Sequence, residues 1–112
     1  MSAPRATVPL VLERPERVAD GMGGYRMEWR PLGILYAQMR AGSGAERQGE
    51  VGAESVVPWR ITVRAARAGD PRRPSAGQRF RMGGRVFRIE AVAEADGAGL
   101  WLDCRAREEG LT

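Results

Sequence analysis

The sequence contains no histidine, no lysine and a single cysteine in 112 residues, and these absences remove most enzymatic chemistry at once. Without an imidazole there is no Ser-His-Asp or Cys-His nucleophile pair. A zinc site would have to be built from one thiolate plus carboxylates, a poor donor set for that ion. The lone Cys104 excludes an internal disulfide, and no GxxxxGK[ST] loop is present to cradle phosphates. No apolar run approaches the ~20 residues that span a bilayer, and the N-terminus lacks the apolar stretch of a signal peptide. The chain is therefore expected to be soluble, made inside a cell and without a membrane partner. No catalytic residue, cofactor or metal ion is expected, and the chain is read as a non-enzyme.

What is abundant is glycine, proline and arginine. The 15 Gly and 7 Pro point to many turns and few long helices, while 43% hydrophobic and 29% charged residues lie in the globular range. A chain of this length fits one domain over residues 1–112, with one modest core. All 18 basic residues are arginine, and the net charge is +4. Two origins fit that bias. Guanidinium groups bind phosphate bidentately and a basic surface attracts a polyanion; a GC-rich coding sequence, rich in Ala, Gly and Arg, gives the same composition.

Along the chain the dominant signal is alternation of apolar and polar residues, the mark of half-buried strands. Met1 to Thr7 shows no periodicity and is expected to be a flexible arm that orders only against a partner. Val8 to Arg14 has strand character, with Pro9 arguing for an edge or strand-start position, and the strand is read as an edge. Asp20-Gly21 and Gly23-Gly24 supply a hairpin turn. Its second arm, Tyr25 to Arg30, places Tyr25, Met27 and Trp29 inward against Arg26, Glu28 and Arg30 outward, and Pro31 is expected to end it. Gly33 to Arg40 has apolar residues on both faces, as expected of a strand covered by core on one side and by a neighbouring subunit or loop on the other. A sandwich strand with a stray exposed Tyr36 fits equally well.

Val56 to Ala65 is the clearest strand, with Val57, Trp59, Ile61 and Val63 towards the core and Arg60, Thr62 and Arg64 away from it. Residues 66–77 form the most basic connector, carrying Arg67, Arg72 and Arg73; it is either a phosphate-facing or docking loop or a solvated one that binds nothing. A closing meander runs from Gln78 to Met82, through a Gly83-Gly84 turn to Arg85–Ala95, then through Asp96-Gly97 to Leu100–Glu108. The expected fold is all-β: a small antiparallel β-barrel of about six or seven strands.

One segment breaks the pattern. Residues 41–55 (AGSGAERQGEVGAES) form a polar stretch at mid-chain, far longer than ordinary connections. Ser43 and Glu46 have capping-box spacing, so a short helix is conceivable, but Gly49 and Gly52 weaken it by roughly 0.5–1 kcal/mol each. The segment sets Arg47 against Glu46, Glu50 and Glu54, a net of −2, which leaves +6 on the rest of the chain.

The order of these features resembles the phage head-tail adaptor family, the head-closure or stopper proteins of long-tailed phages and of gene transfer agents. The residues that carry the resemblance are Asp20-Gly21-x-Gly23-Gly24 before Trp29, Leu35-Tyr36-Ala37, the polar segment with Glu46, Ile61-Thr62-Val63-Arg64, Phe80 through Gly84-Arg85-x-Phe87-x-Ile89, and Leu102-x-Cys104. The composition is similar to the gene-transfer-agent version. The resemblance implies a structural neck protein in a virion or phage-like particle, synthesised in the bacterial cytoplasm. It implies a ring of copies, six-fold by analogy, between an adaptor protein of the portal complex and a tail terminator protein. Packaged double-stranded DNA would pass through its channel. It further implies that residues 41–55 face and close that channel, with Ser43, Glu46, Arg47, Gln48, Glu50 and Glu54 as gating candidates. A negative rim would repel phosphates and let DNA slide rather than grip it. Arg67, Arg72 and Arg73 remain the docking or DNA-proximal candidates, and Tyr36 and Trp101 the ring-interface candidates.

The alternative is an OB-like single-stranded nucleic-acid-binding protein, with Tyr25, Trp29, Tyr36 or Trp101 as stacking platforms. With only seven aromatic residues, and Trp29 and Trp59 assigned to the core, such a platform is hard to assemble.

Overall fold

Six strands make up the fold in a computed structural model of the chain, which describes residues 3–42 and 57–109. They are β1 (Val8–Ala19), β2 (Tyr25–Ala41), β3 (Pro58–Arg64), β4 (Arg79–Met82), β5 (Arg85–Glu94) and β6 (Trp101–Glu109). All neighbours are antiparallel, and the order β1-β2-β3-β6-β5-β4 closes on itself as a barrel. The all-β expectation holds, with six strands. The segment expected to hold a helix lies mostly at residues 43–56, outside the described residues.

Alternation puts one face of each strand inside. Leu10 and Leu12 from β1, Ile61 and Val63 from β3, Phe80 from β4, Phe87 and Ile89 from β5, and Leu102 and Cys104 from β6 are essentially inaccessible to solvent. Burying each larger side chain stabilises the fold by about 1.5–3 kcal/mol. Two phenylalanines close-pack the centre, and the Trp59 ring meets Phe87 edge-on at 5.6 Å. The barrel is thus a filled core with no lumen. Cys104 sits in it as a small apolar residue, and burial pushes its thiol up to about 12.

Several local expectations are corrected. β1 is not an edge strand, because it pairs with β2 along its length and with β4 over Val11–Glu13. Pro9 is tolerated because it lies outside the β4 contact, where no second ladder needs its missing N–H. Pro31 does not end a strand: β2 runs on through it for 17 residues. The arm expected to be free touches the barrel: Arg5 N–H donates to Gln38 Oε1 at 2.9 Å, and Ala6 lines a groove beside Ile34 and Tyr36. Val57, expected to face the core, precedes β3 and is exposed, and Leu100, expected to open the last strand, precedes β6 and is exposed as well. Thr62 points away from the core as expected, yet it is buried, because its hydroxyl donates to Asp103 Oδ1 at 2.7 Å on the adjacent strand.

The largest correction concerns Tyr25, Met27 and Trp29. Leu12 pairs with Gly33 but Glu13 pairs with Pro31, so Leu32 is an extra residue in β2, a β-bulge. Because strand side chains alternate with period two, one extra residue exchanges the faces. After the bulge, Leu35 and Ala37 point inward; before it, Trp29, Met27 and Tyr25 pair with Pro15, Arg17 and Ala19 on the outer side. Tyr25 and Met27 are accordingly 63% and 57% exposed. Gly33 makes the bulge possible, adopting φ = 154°, and a Cβ there would come within 3.0 Å of the Arg72 side chain.

Replacing Phe87 with Ala should cost about 3–5 kcal/mol, as a cavity at the centre of the core does. Tyr36→Ala on the outer face should stay within about 0.5 kcal/mol of the parent. Urea denaturation of the purified proteins measures both, and equal losses would contradict this placement of the core.

Candidate assembly surfaces

Three side-chain groupings stand out on the barrel. The first closes the end at which β2 finishes and β3 begins. There the Arg85 guanidinium forks onto Glu108, Nε to Oε2 at 2.7 Å and a terminal nitrogen to Oε1 at 2.9 Å. The same guanidinium lies 5.1 Å from the Phe87 ring centre and 5.6 Å from that of Trp59. Hydrogen bonding to Arg85 holds the Glu108 carboxyl below the usual carboxylate range, against the opposing effect of burial. The Trp59 indole N–H adds a smaller pull in the same direction, although it falls short of a well-formed hydrogen bond. Segment 43–56 leaves from this end, and its flanks are joined by a hydrogen bond from Gly42 N–H to the Pro58 carbonyl at 2.6 Å.

The second grouping welds the root of the β1–β2 ribbon to β4. Glu13, 5% exposed, accepts from Arg79 Nε at 2.7 Å and from Arg81 Nε at 3.0 Å. Burial alone would raise the Glu13 pKa, but the two hydrogen bonds and the two positive charges outweigh it and hold the carboxyl below its ordinary value. Above this pair the Trp29 ring receives Arg79 at 4.2 Å and Arg88 at 4.9 Å. Arg79 and Arg88 are directly opposite on β4 and β5, a repulsive arrangement that Glu13 and the Trp29 ring offset.

The third grouping is a groove of about 500 Å³ where β2 diverges from β3, lined by Ile34, Tyr36, Arg64, Arg67, Asp70 and Arg72 among others. Pairing of β2 with β3 begins only at Ala37, so the strand edge before it is free and the 66–77 connector lies against it. The connector is itself ordered by Asp70, which accepts from Arg72 N–H at 2.8 Å and lies 3.7 Å from the Arg72 guanidinium.

These positions sort the residues singled out from sequence. Arg67 and Arg72 come together with Tyr36 in the groove. Arg73 does not join them: it turns back and donates to the Ala66 carbonyl at 2.6 Å, fixing the connector. Trp101 is half-buried on β6 with Arg64 over its ring at 5.4 Å. Ser43, Glu46, Arg47, Gln48, Glu50 and Glu54 lie outside the described residues. Sequence reasoning missed Ile34, Met27 and Arg64 as surface-site residues. The signal for Ile34 was present, since apolar residues fall on both faces of Gly33–Arg40. As for base stacking, Trp29 and Trp101 lie under guanidinium groups and Arg17 lies 4.1 Å from the Tyr25 ring centre, while Tyr25 and Tyr36 stay 63% and 58% exposed. Among the described residues no three Asp, Glu or Cys side chains converge as metal ligands do.

The described residues thus form a filled six-stranded barrel with a long exposed ribbon and ion-paired seams. The chain belongs to the phage head completion protein family, whose model matches residues 1–109. It is similar to a chain in a solved structure described as the virion of a native gene transfer agent particle. The two are 52% identical with a TM-score of 0.81, over 98% of this chain and 100% of that one. The comparison with curated proteins returns no match. The family resemblance read from the sequence is thereby borne out, and the protein is a structural component of a phage-type particle.

Glu13 gives this seam a pH signature. A carboxyl whose folded-state pKa is depressed contributes stability that is present above its ordinary value of 4.5 and is lost as pH falls through the folded value. Glu13→Gln should destabilise the protein at pH 7 by on the order of 2 kcal/mol, the scale of hydrogen bonds to a charged group. It should also flatten the loss of stability on acidification below about pH 4.5. Thermal melts of both proteins from pH 7 to pH 3 check this; parallel pH profiles would contradict the assignment.

Proposed function

We propose that this protein is the head-closure, or stopper, subunit of the neck of a tailed phage or gene transfer agent particle. Copies of it form a ring that links the portal-adaptor complex to the tail and gates the DNA channel. The observation that carries this reading is the full-length similarity, at 52% identity, to a chain of a gene transfer agent virion, together with membership of the head completion family.

Two physical features support it. The barrel interior is filled by Phe80, Phe87 and their neighbours, so no duplex can pass through a single copy; a channel must lie between copies. The polar segment 43–56 leaves and re-enters at one barrel end, between Gly42 and Val57, whose flanks are tied through the Pro58 carbonyl. A tether of that kind lets the segment reach away from the barrel without disturbing the sheet. In this reading Glu46, Glu50 and Glu54 present negative charge to the DNA, obstructing its path when closed without gripping it when open. Arg67 and Arg72 serve docking between proteins rather than DNA contact, since both lie beside apolar Ile34 and Tyr36.

Deleting residues 45–53 should leave the melting transition of the purified barrel nearly unchanged, while particles carrying the deletion lose packaged DNA or fail to join tails. Nuclease-protected DNA per particle and electron microscopy of tail attachment measure the outcome. Particles that keep their DNA and tails would refute the gating role.

A further inference from the structure

Among the described residues, five of the seven exposed large apolar side chains belong to one hairpin: Met22 at its tip, and Tyr25, Met27, Ile34 and Tyr36 along β2. The bulge at Leu32 aligns them. Tyr25, Met27, Trp29 and Pro31 before it, and Ile34 and Tyr36 after it, all lie on the outer side of β2, a strip roughly 40 Å long at about 3.3 Å per residue. A strand that alternates as regularly as this one, yet turns its apolar side to solvent, has the pattern of a half-buried strand with half of its burial missing. The strip is flanked by positive charge: Arg17 lies over Tyr25, while Arg64 and Arg67 border the groove beside Tyr36. Among the described residues none of these three arginines has an ion-pair partner.

The barrel carries a second surface, built from small side chains with acids along one edge. From Glu90 to Asp96 the chain holds three acids and no base. Ala91 and Ala93, both exposed, pair with Arg105 and Asp103 on the outer side of the β5–β6 hairpin. They form the floor of a shallow depression lined also by Glu94, Asp103, Arg60 and Arg105, with Asp103 lying 4.0 Å from Arg60. Glu94 and Asp96 make no ion pair among the described residues. In the closed order β1-β2-β3-β6-β5-β4, β5 is three strands from β2 in either direction, so the barrel part of the strip at Ile34 and Tyr36 stands across the barrel from the β5 depression, while Trp29 in the ribbon reaches Arg88 near the other end of β5.

We infer that the outer face of β2 on one copy packs against the outer face of β5 on the next. This deepens the proposed ring and rests on it. Large apolar side chains meet a small-residue floor, and the arginines beside the strip meet Glu94 and Asp96 at the edge of that floor. Because the patches are different and lie across the barrel from each other at Ile34 and Tyr36, the contact is heterologous: each copy uses one patch to each side, as repetition around a closed ring requires. A two-fold dimer would instead bury the same patch on both partners.

Crosslinking in assembled particles tests this. The chain is built with Tyr36→Cys and Ala93→Cys together, and with each alone. Particles are treated with a bifunctional maleimide whose spacer is shorter than the 23 Å narrowest extent of the molecule. Cys104 is fully buried and stays silent. The double variant should shift most of the chain from monomer into a ladder of covalent multimers, and each single variant should remain monomeric. If the double variant does not yield particles, Ile34→Cys with Ala91→Cys replaces it. Dimers from Tyr36→Cys alone would overturn the inference in favour of a two-fold contact. Monomers only, from both double variants, would overturn the pairing of these faces. Copy number per particle, counted by quantitative mass spectrometry, separates that failure from failure of the ring: several copies without crosslinks reject only the chosen faces, whereas one copy rejects the ring as well.

Discussion

The exposed character of this protein depends on one extra residue. With Leu32 in β2, Leu12 is opposite Gly33 and Glu13 is opposite Pro31, so the inward-pointing set of the strand changes from one parity to the other at the point where the ribbon leaves the barrel. Without the bulge, Tyr25, Met27 and Trp29 would continue the inner face into the space above the barrel mouth. With it, they continue the outer face, where Ile34 and Tyr36 already lie. The bulge therefore converts two unrelated patches into one strip, and Gly33 and Pro31 on either side of it are the residues that accommodate the irregularity.

The bulge sits beside the strongest electrostatic feature of the fold. Glu13, the first β1 residue past the shift, is held by Arg79 and Arg81 of β4, at the last position where β1 and β4 pair. Beyond it β1 has only β2 as a neighbour, and the hairpin projects as a two-stranded ribbon. An isolated ribbon of this kind is marginal in water. Here the Arg30–Glu16 pair ties the two ribbon strands together on one face, and Trp29 beneath Arg79 and Arg88 on the other holds the base of the ribbon to the barrel. Solvated ion pairs such as Arg30–Glu16 contribute little. The buried Glu13 seam carries more, because its partners cannot be replaced by water at no cost.

Much of the fold was legible from sequence, and the failures have one physical origin. Alternation correctly identified β3, β5 and β6 and put Ile61 and Val63 inside, because period two read along a single strand needs no knowledge of its neighbours. The glycine turns at Gly83-Gly84 and Asp96-Gly97 placed the meander for the same local reason. What failed were statements about which side of a strand meets which neighbour. Pro31 read as a terminator and Tyr25 as a core residue because a bulge is a property of two strands in register, and nothing in YRMEWRPLGILY marks Leu32 as the extra residue. Arg73 was grouped with Arg67 and Arg72 because all three are arginines in one loop; only the fold reveals that Arg73 closes back onto Ala66. The apolar residues on both faces of Gly33–Arg40 were the one sequence feature that pointed outside the monomer.

The central claim is that the β2 outer strip is a solvent-exposed surface of the free chain that assembly covers. Hydroxyl-radical footprinting read by mass spectrometry, on purified protein and on intact particles, tests it most directly. The account predicts that Tyr25, Met27 and Tyr36 are oxidised rapidly in the free protein and protected several-fold in the particle, while the core residues Phe80 and Phe87 are protected in both. Equal oxidation of those three residues in the two states would contradict it.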